Sequence, residues 1–267
     1  MVFTPKLSEI KRHIDHYWIL NGQDLLTLNS NHMYAYPGIT PDMIIVLEGY
    51  YTMTYMGKTI SSNRSQLFSF IHREVRIDFS RLKRCVIVKF KSRGLSSLQP
   101  FIGKDVDMIM RDSVAFAEDV FGPDLNILVN RLLKGDHVAQ INELDYWFLS
   151  HYQKEHEGFV IEMSQEVSPN CDLHTIMEAT GYSYSTLERY FKKETGLTPK
   201  RFQTLQRFKR AMRELSITKN NDWLHYVAQY GYYDQSHFIK EIKRFTKYTP
   251  SELLQVPTFI QVRPEYS

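Results

Sequence analysis

Two stretches decide how this chain folds: GYSYSTLERYFKKETGLTPKRF at residues 181–202 and GYYDQSHFIKEIKRFTKYTPSEL at residues 231–253. Sliding the sequence on itself by fifty or fifty-one residues superposes them. Gly181-Tyr182 recurs as Gly231-Tyr232, and the run from Lys192 to Pro199 recurs as Lys243 to Pro250. The offset grows by one residue in the turn between these blocks, where a change of length costs least. A repeat of this period is one supersecondary unit present twice.

Each copy reads as a short helix, a glycine-bearing turn and a second helix with one apolar face. In the first copy Asp172 is the expected N-cap, Leu173 to Thr180 the positioning helix, and Gly181 the left-handed residue that ends it. Ser183 caps the next helix, which buries Leu187, Tyr190 and Phe191, turns Tyr184, Ser185, Glu188, Arg189 and Lys192 outward, and ends at Gly196. In the second copy Trp223 to Tyr230 is the positioning helix, Gly231 the turn, and Asp234 the cap of a helix burying Phe238, Ile242 and Phe245. Its outward face carries Gln235, Ser236, Ile239, Lys240 and Lys243, while His237 reads as a packing or capping residue. Between the copies, Thr198 and Pro199 open a long helix to about Leu215 that bears Lys200, Arg201, Arg207, Lys209, Arg210 and Arg213. Thr249-Pro250-Ser251-Glu252 has the form of a capping box that opens a final helix.

The outward sets are side chains able to hydrogen-bond base edges or phosphates. By position, Tyr184, Ser185, Glu188, Arg189, Gln235, Ser236, Ile239 and Lys240 are the base-reading candidates, and Lys192, Lys243, Lys200, Arg201 and Arg207 the phosphate candidates. Glu188 either accepts from a cytosine or repels phosphate. The net charge of +3 is too small to argue for a nucleic-acid partner, but its distribution is informative. Between Tyr182 and Lys247 fourteen Lys/Arg face six Asp/Glu, a local +8 that leaves −5 for the rest of the chain. A basic block on an otherwise acidic protein is the footprint of a phosphate-binding module.

On these residues the segment from about Phe159 to Leu254 resembles the AraC/XylS regulators, its two units joined by a helix of RFKRAMREL type at residues 207–215. The resemblance implies a rigid pair of helix-turn-helix units whose second helices enter successive major grooves on one side of double-stranded DNA. It further implies a homodimer; contact with RNA polymerase is a further expectation, as are the lack of a cofactor and of enzymatic activity. Two positions depart from the family pattern: Lys247 stands where a helix-ending glycine is usual, and Ile242 where an aromatic is common.

Ahead of this segment, runs rich in Val, Ile, Tyr and Phe alternate with Gly, Pro, Asn and Ser. They predict strands at His16 to Leu20, His32 to Tyr36, Met43 to Leu47, Tyr50 to Met56, Gln66 to Ile71 and Arg84 to Phe90, in a small antiparallel barrel or sandwich. Tyr36-Pro37-Gly38 followed by Met43 to Gly49, and later Val86 to Gly94, resemble the cupin-like front domain of some such regulators. The expected fold is therefore α+β, a β-rich front domain and an all-α back domain joined by a helical connector. The 267 residues divide into 1–110 for a sensing domain, 111–156 for the connector and 157–267 for DNA binding, with the polar stretch Tyr152 to Gly158 at the second boundary.

Leu125, Leu128, Val129 and Leu132, then Ile141, Leu144 and Phe148, recur at helical spacing, so Pro123 to Tyr152 reads as two amphipathic helices broken near Gly135. This stripe buries either on the front barrel or, as the resemblance implies, on the same helices of a second subunit, for which Leu125, Leu128, Leu132, Leu144 and Phe148 are the candidate contacts. Trp18, Tyr34, Tyr36, Phe68, Phe70 and Phe90 are the candidate lining of a pocket for a small-molecule effector. His13, His16, His32 and His72 lack the paired His-x-His spacing of a cupin metal site, and no metal is expected. Cys85 and Cys171 show no CxxC or Cys/His pattern and read as reduced side chains. No apolar run approaches the roughly 18 residues of a membrane helix and no signal-peptide core opens the chain, which points to a cytoplasmic protein. Two other functions compete with effector-responsive regulation: a regulator whose front domain only dimerises or binds protein, and a cupin-type enzyme tethered to DNA.

Overall fold

β-branched and aromatic residues recur through the front half, and in a computed structural model of the chain they form strands whose alternate side chains point to opposite faces. The structure describes residues 1–22, 24, 32–35, 40–68, 75–91, 94–95, 98, 114–152, 173–195 and 197–255. The strands are β1 (Val2–Phe3), β2 (Ile14–Asn21), β3 (His32–Ala35), β4 (Asp42–Gly49), β5 (Tyr51–Tyr55), β6 (Lys58–Ser62), β7 (Gln66–Phe68), β8 (Val75–Asp78), β9 (Leu82–Phe90) and β10 (Val114–Phe116). They pair antiparallel in two sheets, of order β1-β2-β9-β4-β7-β10 and β3-β8-β5-β6. The sheets stack as an open sandwich.

The larger sheet is covered on both faces. Leu20 of β2, Ile44 and Val46 of β4, and Cys85 and Ile87 of β9 point toward the smaller sheet and meet Tyr51, Met53, Val75 and Ile77. Their neighbours Tyr17, Ile19, Met43, Ile45, Val86, Val88 and Phe90 point the other way. Burial of both faces is why these strands read as unbroken apolar runs instead of alternating ones. β5 and β6 are joined by the two-residue turn Met56-Gly57, both at positive φ (50° and 77°), the turn whose twist matches that of a hairpin.

Helices of this front part, among the described residues, are α1 (Ser8–Lys11), α2 (Ala117–Phe121), α3 (Pro123–Lys134) and α4 (His137–His151). Asp136 caps α4 by accepting from the Ala139 N–H at 2.9 Å. The stripe of α3 and α4 lies against the outer face of the larger sheet, so Leu125, Leu128, Leu132, Leu144 and Phe148 are all buried within the chain's own core. Of the two places open to the stripe the structure has the first, the front domain, and the five side chains are buried there instead of standing exposed for a dimer contact. The connector is likewise built onto the front sheet, since β10 pairs with β7 and α3 packs on β4.

Helices make up the described back part: α5 (Leu173–Thr180), α6 (Tyr184–Thr195), α7 (Pro199–Thr218), α8 (Trp223–Tyr230), α9 (Gln235–Thr246) and α10 (Pro250–Leu253). No helix among the described residues is long and apolar enough to cross a membrane.

Candidate nucleic-acid interface

Caps fix where each helix of the two units begins. Ser183 Oγ accepts from the Thr186 N–H at 3.3 Å, and Asp234 Oδ1 from the His237 N–H at 2.6 Å. Thr198 caps α7 through the Arg201 N–H, with Pro199 at its first turn, and Thr249 and Glu252 complete a reciprocal capping box on α10. Gly181 and Gly231 both sit at φ 68°, a left-handed conformation that a side chain makes costly, and they stop α5 and α8 so that the chain can turn into α6 and α9. The expected cap Asp172 and the expected stop Gly196 lie outside the described residues. Lys247 ends α9 in the left-handed conformation (φ 70°) despite its side chain, and Ile242 is fully buried, so the second unit closes at both departures from the family pattern.

The buried stripes follow. Leu187 and Phe191 of α6 are buried, Phe191 meeting Phe202 of α7 at 5.3 Å, while Tyr190 is half-buried and stacks on Tyr182 at 5.4 Å. Phe238, Ile242 and Phe245 of α9 are buried, with Tyr226 of α8 stacked on Phe238 at 5.3 Å. What these stripes leave outward are exposed Tyr184, Ser185, Arg189 and Lys192 on α6, with Glu188 half-buried, and exposed Gln235, Ser236, Lys240 and Lys243 on α9. Ile239 departs from its expected role, being half-buried against the core. Lys192 Nζ reaches back one turn to Glu188 Oε1 at 2.7 Å, so the acidic side chain and a phosphate candidate neutralise each other in the free protein.

Two clamps hold α7 against the second unit. Arg207 Nη2 donates to Glu241 Oε2 at 2.6 Å and its Nε to Oε1 at 3.2 Å, with the guanidinium 4.5 Å from the centre of the Tyr232 ring. Glu241 is only 5% exposed. Arg207 was expected to meet phosphate; its fork is instead taken up by a buried carboxylate that needs a cation. Arg201 is half-buried, its guanidinium 5.5 Å from the Phe245 ring, and burial with the neighbouring Arg244 charge lowers its pKa. Lys200 is exposed.

The second clamp is Glu214 of α7, which accepts from His225 Nε2 at 2.5 Å and from the Tyr230 hydroxyl, both on α8. Burial pulls the Glu214 carboxyl upward, but those two donors and the His225 charge outweigh it and hold the group below the usual carboxylate range. Neither clamp carboxylate was among the expected site residues. For Glu241 the signal existed: it falls on the stripe of Phe238, Ile242 and Phe245, so a partner on a facing helix is implied. His237 accepts the Tyr233 N–H on Nδ1 at 3.2 Å, a capping role.

In the front part Trp18 and Phe68 face the core between the sheets, while Phe90 lies on the opposite face of the larger sheet against Phe148. The candidate pocket lining is thus divided by a sheet. Tyr36 and Phe70 lie outside the described residues, as does the Tyr34 side chain. Among the described residues no three His, Cys, Asp or Glu gather as a metal would require, and His72 is not among them. Among the described residues a hydrogen bond joins the two parts of the chain: Lys209 Nζ of α7 donates to Thr40 Oγ1 at 2.8 Å.

Residues 176–255 match a family model described as a helix-turn-helix domain, a span that runs from α5 through α10. No curated protein matches the chain. An apo variant of ToxT from Vibrio cholerae is similar in structure at 11% identity and a TM-score of 0.49, over 90% of this chain and 96% of that one. Wild-type ToxT from Vibrio cholerae bound to an unsaturated fatty acid gives 14% and 0.45, over 89% and 94%. The AraC-like transcriptional activator CuxR gives 9% and 0.25, over 85% of this chain and 66% of that one.

Proposed function

We propose that the segment from Ile176 to Gln255, which matches a family model described as a helix-turn-helix domain, is a DNA-binding domain of the AraC/XylS type, and from that premise we infer how the chain reads DNA and what its front part does. α6 and α9 are the recognition helices. Tyr184, Ser185 and Arg189 read bases in one major groove, and Gln235, Ser236 and Lys240 in the next, because N-terminal halves of recognition helices reach base edges. Lys192, Lys243 and Lys200 anchor on phosphates. Arg207 and Arg201 are positioning residues, which set the pitch of the two units through α7 instead of touching DNA. The observation that carries this reading is the pair of capped helices, each with a buried aromatic or aliphatic stripe and an exposed polar face. The twenty residues of α7 support it as a spacer, since about 30 Å of helix is close to one turn of duplex.

The front part, residues 1–110 with the 111–156 connector helices packed on it, senses a small molecule, and residues 157–267 bind DNA as the regulatory output. The Lys209 to Thr40 hydrogen bond supports a route between them, because α7 is the helix that sets the two units. RNA polymerase and a second copy of the chain are the further partners of this reading.

Selecting bound duplexes from a random DNA pool with the full-length protein tests it. Enrichment of a site with two half-elements about one helical turn apart is expected. A selected pool no different from the input overturns the reading.

A further inference from the structure

The two units differ by one residue in the turn, and the extra residue is Tyr233. Between Gly181 and the cap Ser183 stands Tyr182 alone, whereas between Gly231 and the cap Asp234 stand Tyr232 and Tyr233. Tyr182 and Tyr232 are counterparts. The first stacks on Tyr190, and the second is buried against Phe238 at 5.1 Å. Tyr233 has no counterpart and is 90% exposed, the most exposed of the chain's large hydrophobic side chains among the described residues. Packing therefore supplies no reason for an aromatic there.

Its backbone is not loose. The Tyr233 N–H donates to His237 Nδ1, and the next residue, Asp234, is held by its cap on the His237 N–H. A fixed main chain thus projects a solvated phenol at the entrance of α9, one residue before the cap and two before Gln235. The first turn of a recognition helix stands over base edges, and the backbone flanks it on either side. Tyrosine hydroxyls are regular donors to phosphate oxygens.

We propose that Tyr233 is a DNA-backbone contact peculiar to the second unit, its hydroxyl donating to a phosphate oxygen and so setting the position of Gln235 and Ser236 over the bases. The inference rests on the DNA-binding reading above. Because the phenol is neutral, the contact adds affinity without displacing a counterion. That separates it from the lysine contacts, each of which steepens the salt dependence.

The test measures full-length wild type, Tyr233→Phe, Tyr233→Ala and Lys243→Ala on the selected duplex at several salt concentrations, with melting temperatures for each. Tyr233→Phe is expected to lose about tenfold in affinity, as for a hydrogen bond to a charged group, with an unchanged salt slope and an unchanged melting temperature. Lys243→Ala is expected to shallow the slope by about one unit. Wild-type affinity in Tyr233→Phe overturns the proposal, whether Tyr233→Ala is weakened by lost apolar packing or not. A changed slope in Tyr233→Phe also overturns it, since the hydroxyl then acts through the charges around it. Failure of the wild type to bind any duplex overturns the DNA-binding reading itself, a result distinct from a silent Tyr233.

Discussion

The Tyr17 hydroxyl donates to Asp145 Oδ1 at 2.7 Å in a site where both residues are buried. The other carboxylate oxygen accepts the Lys6 and Leu7 N–H groups at 2.6 and 2.9 Å. One side chain of α4 thereby ties the segment leading into α1 and strand β2 to the connector helices. Tyr17→Phe removes one of three donors to a buried carboxylate and should cost about 1–3 kcal/mol of unfolding free energy. Asp145→Ala, which orphans two N–H groups and a hydroxyl at once, should cost more. Denaturant melts of both variants check the order, and a larger loss for Tyr17→Phe contradicts it.

Alkaline pH should unfold the protein before any neutral change does. Burial raises the pKa of Tyr17, Tyr51 and Tyr232, and the Asp145 charge adds to the effect on Tyr17. Their unfolded values lie near 10. The unfolded chain then binds fewer protons than the folded one above about pH 10, so this stability is fully present below that pH and is lost as pH rises beyond it. Melting temperature against pH from 7 to 11 should fall only at the upper end, and less steeply in Tyr17→Phe.

Reading and anchoring are separable on α6 and α9. Arg189→Ala and Gln235→Ala should each cost on the order of 1–3 kcal/mol on the selected site and less on scrambled duplex. Lys192→Ala should weaken both duplexes alike, and by more than Lys243→Ala, because it also releases the Glu188 carboxylate now paired with it. Restoring Lys192→Ala with Glu188→Gln should recover part of that loss. Equal proportional losses on both duplexes for Arg189→Ala contradict its base-reading role.

Arg207→Ala leaves Glu241 buried without its guanidinium partner, a defect worth about 3–5 kcal/mol. The double variant Arg207→Met with Glu241→Leu should regain most of the stability, since well-packed apolar residues replace such pairs at little cost. A phosphate role for Arg207 would appear instead as normal melting with weakened DNA binding.

Leu128→Asp should lower the melting temperature of the chain whatever its concentration, because Leu128 fills the contact between α3 and the larger sheet. A variant that melts like wild type but sediments at half the mass contradicts the packing described for α3.

The back part was legible because its signals are local. A cap, its partner three residues on, a glycine at the turn and a stripe at helical spacing all lie within one short window, and Trp223 to Tyr230 stands where it was expected. The front part carried less. Its long strands announced themselves, but β6 (KTISS) lies with largely exposed side chains and has no apolar alternation to find. Amphipathicity shows that Leu125, Leu128 and Leu132 bury, not what they bury against, and so a contact within the chain and one between chains are equally compatible with the pattern. Alternation likewise cannot say which face of a strand meets which layer, and Phe90 and Trp18 were grouped although they stand on opposite sides of one sheet.

That sheet is a partition. On β9, Cys85 presses on the smaller sheet and Val86 on the connector helices, one residue apart along the same strand. Among the described residues the apolar clusters on the sheet's two faces share no side chain, which separates a bulkier side chain or a guest molecule between the sheets from α3 and α4. Through this sheet it is felt there by shifting the main chain of β2, β4 and β9 as a plate, a movement resisted by the hydrogen bonds of the two ladders that join them. A change between the sheets that reaches the helices through this partition therefore moves three strands together.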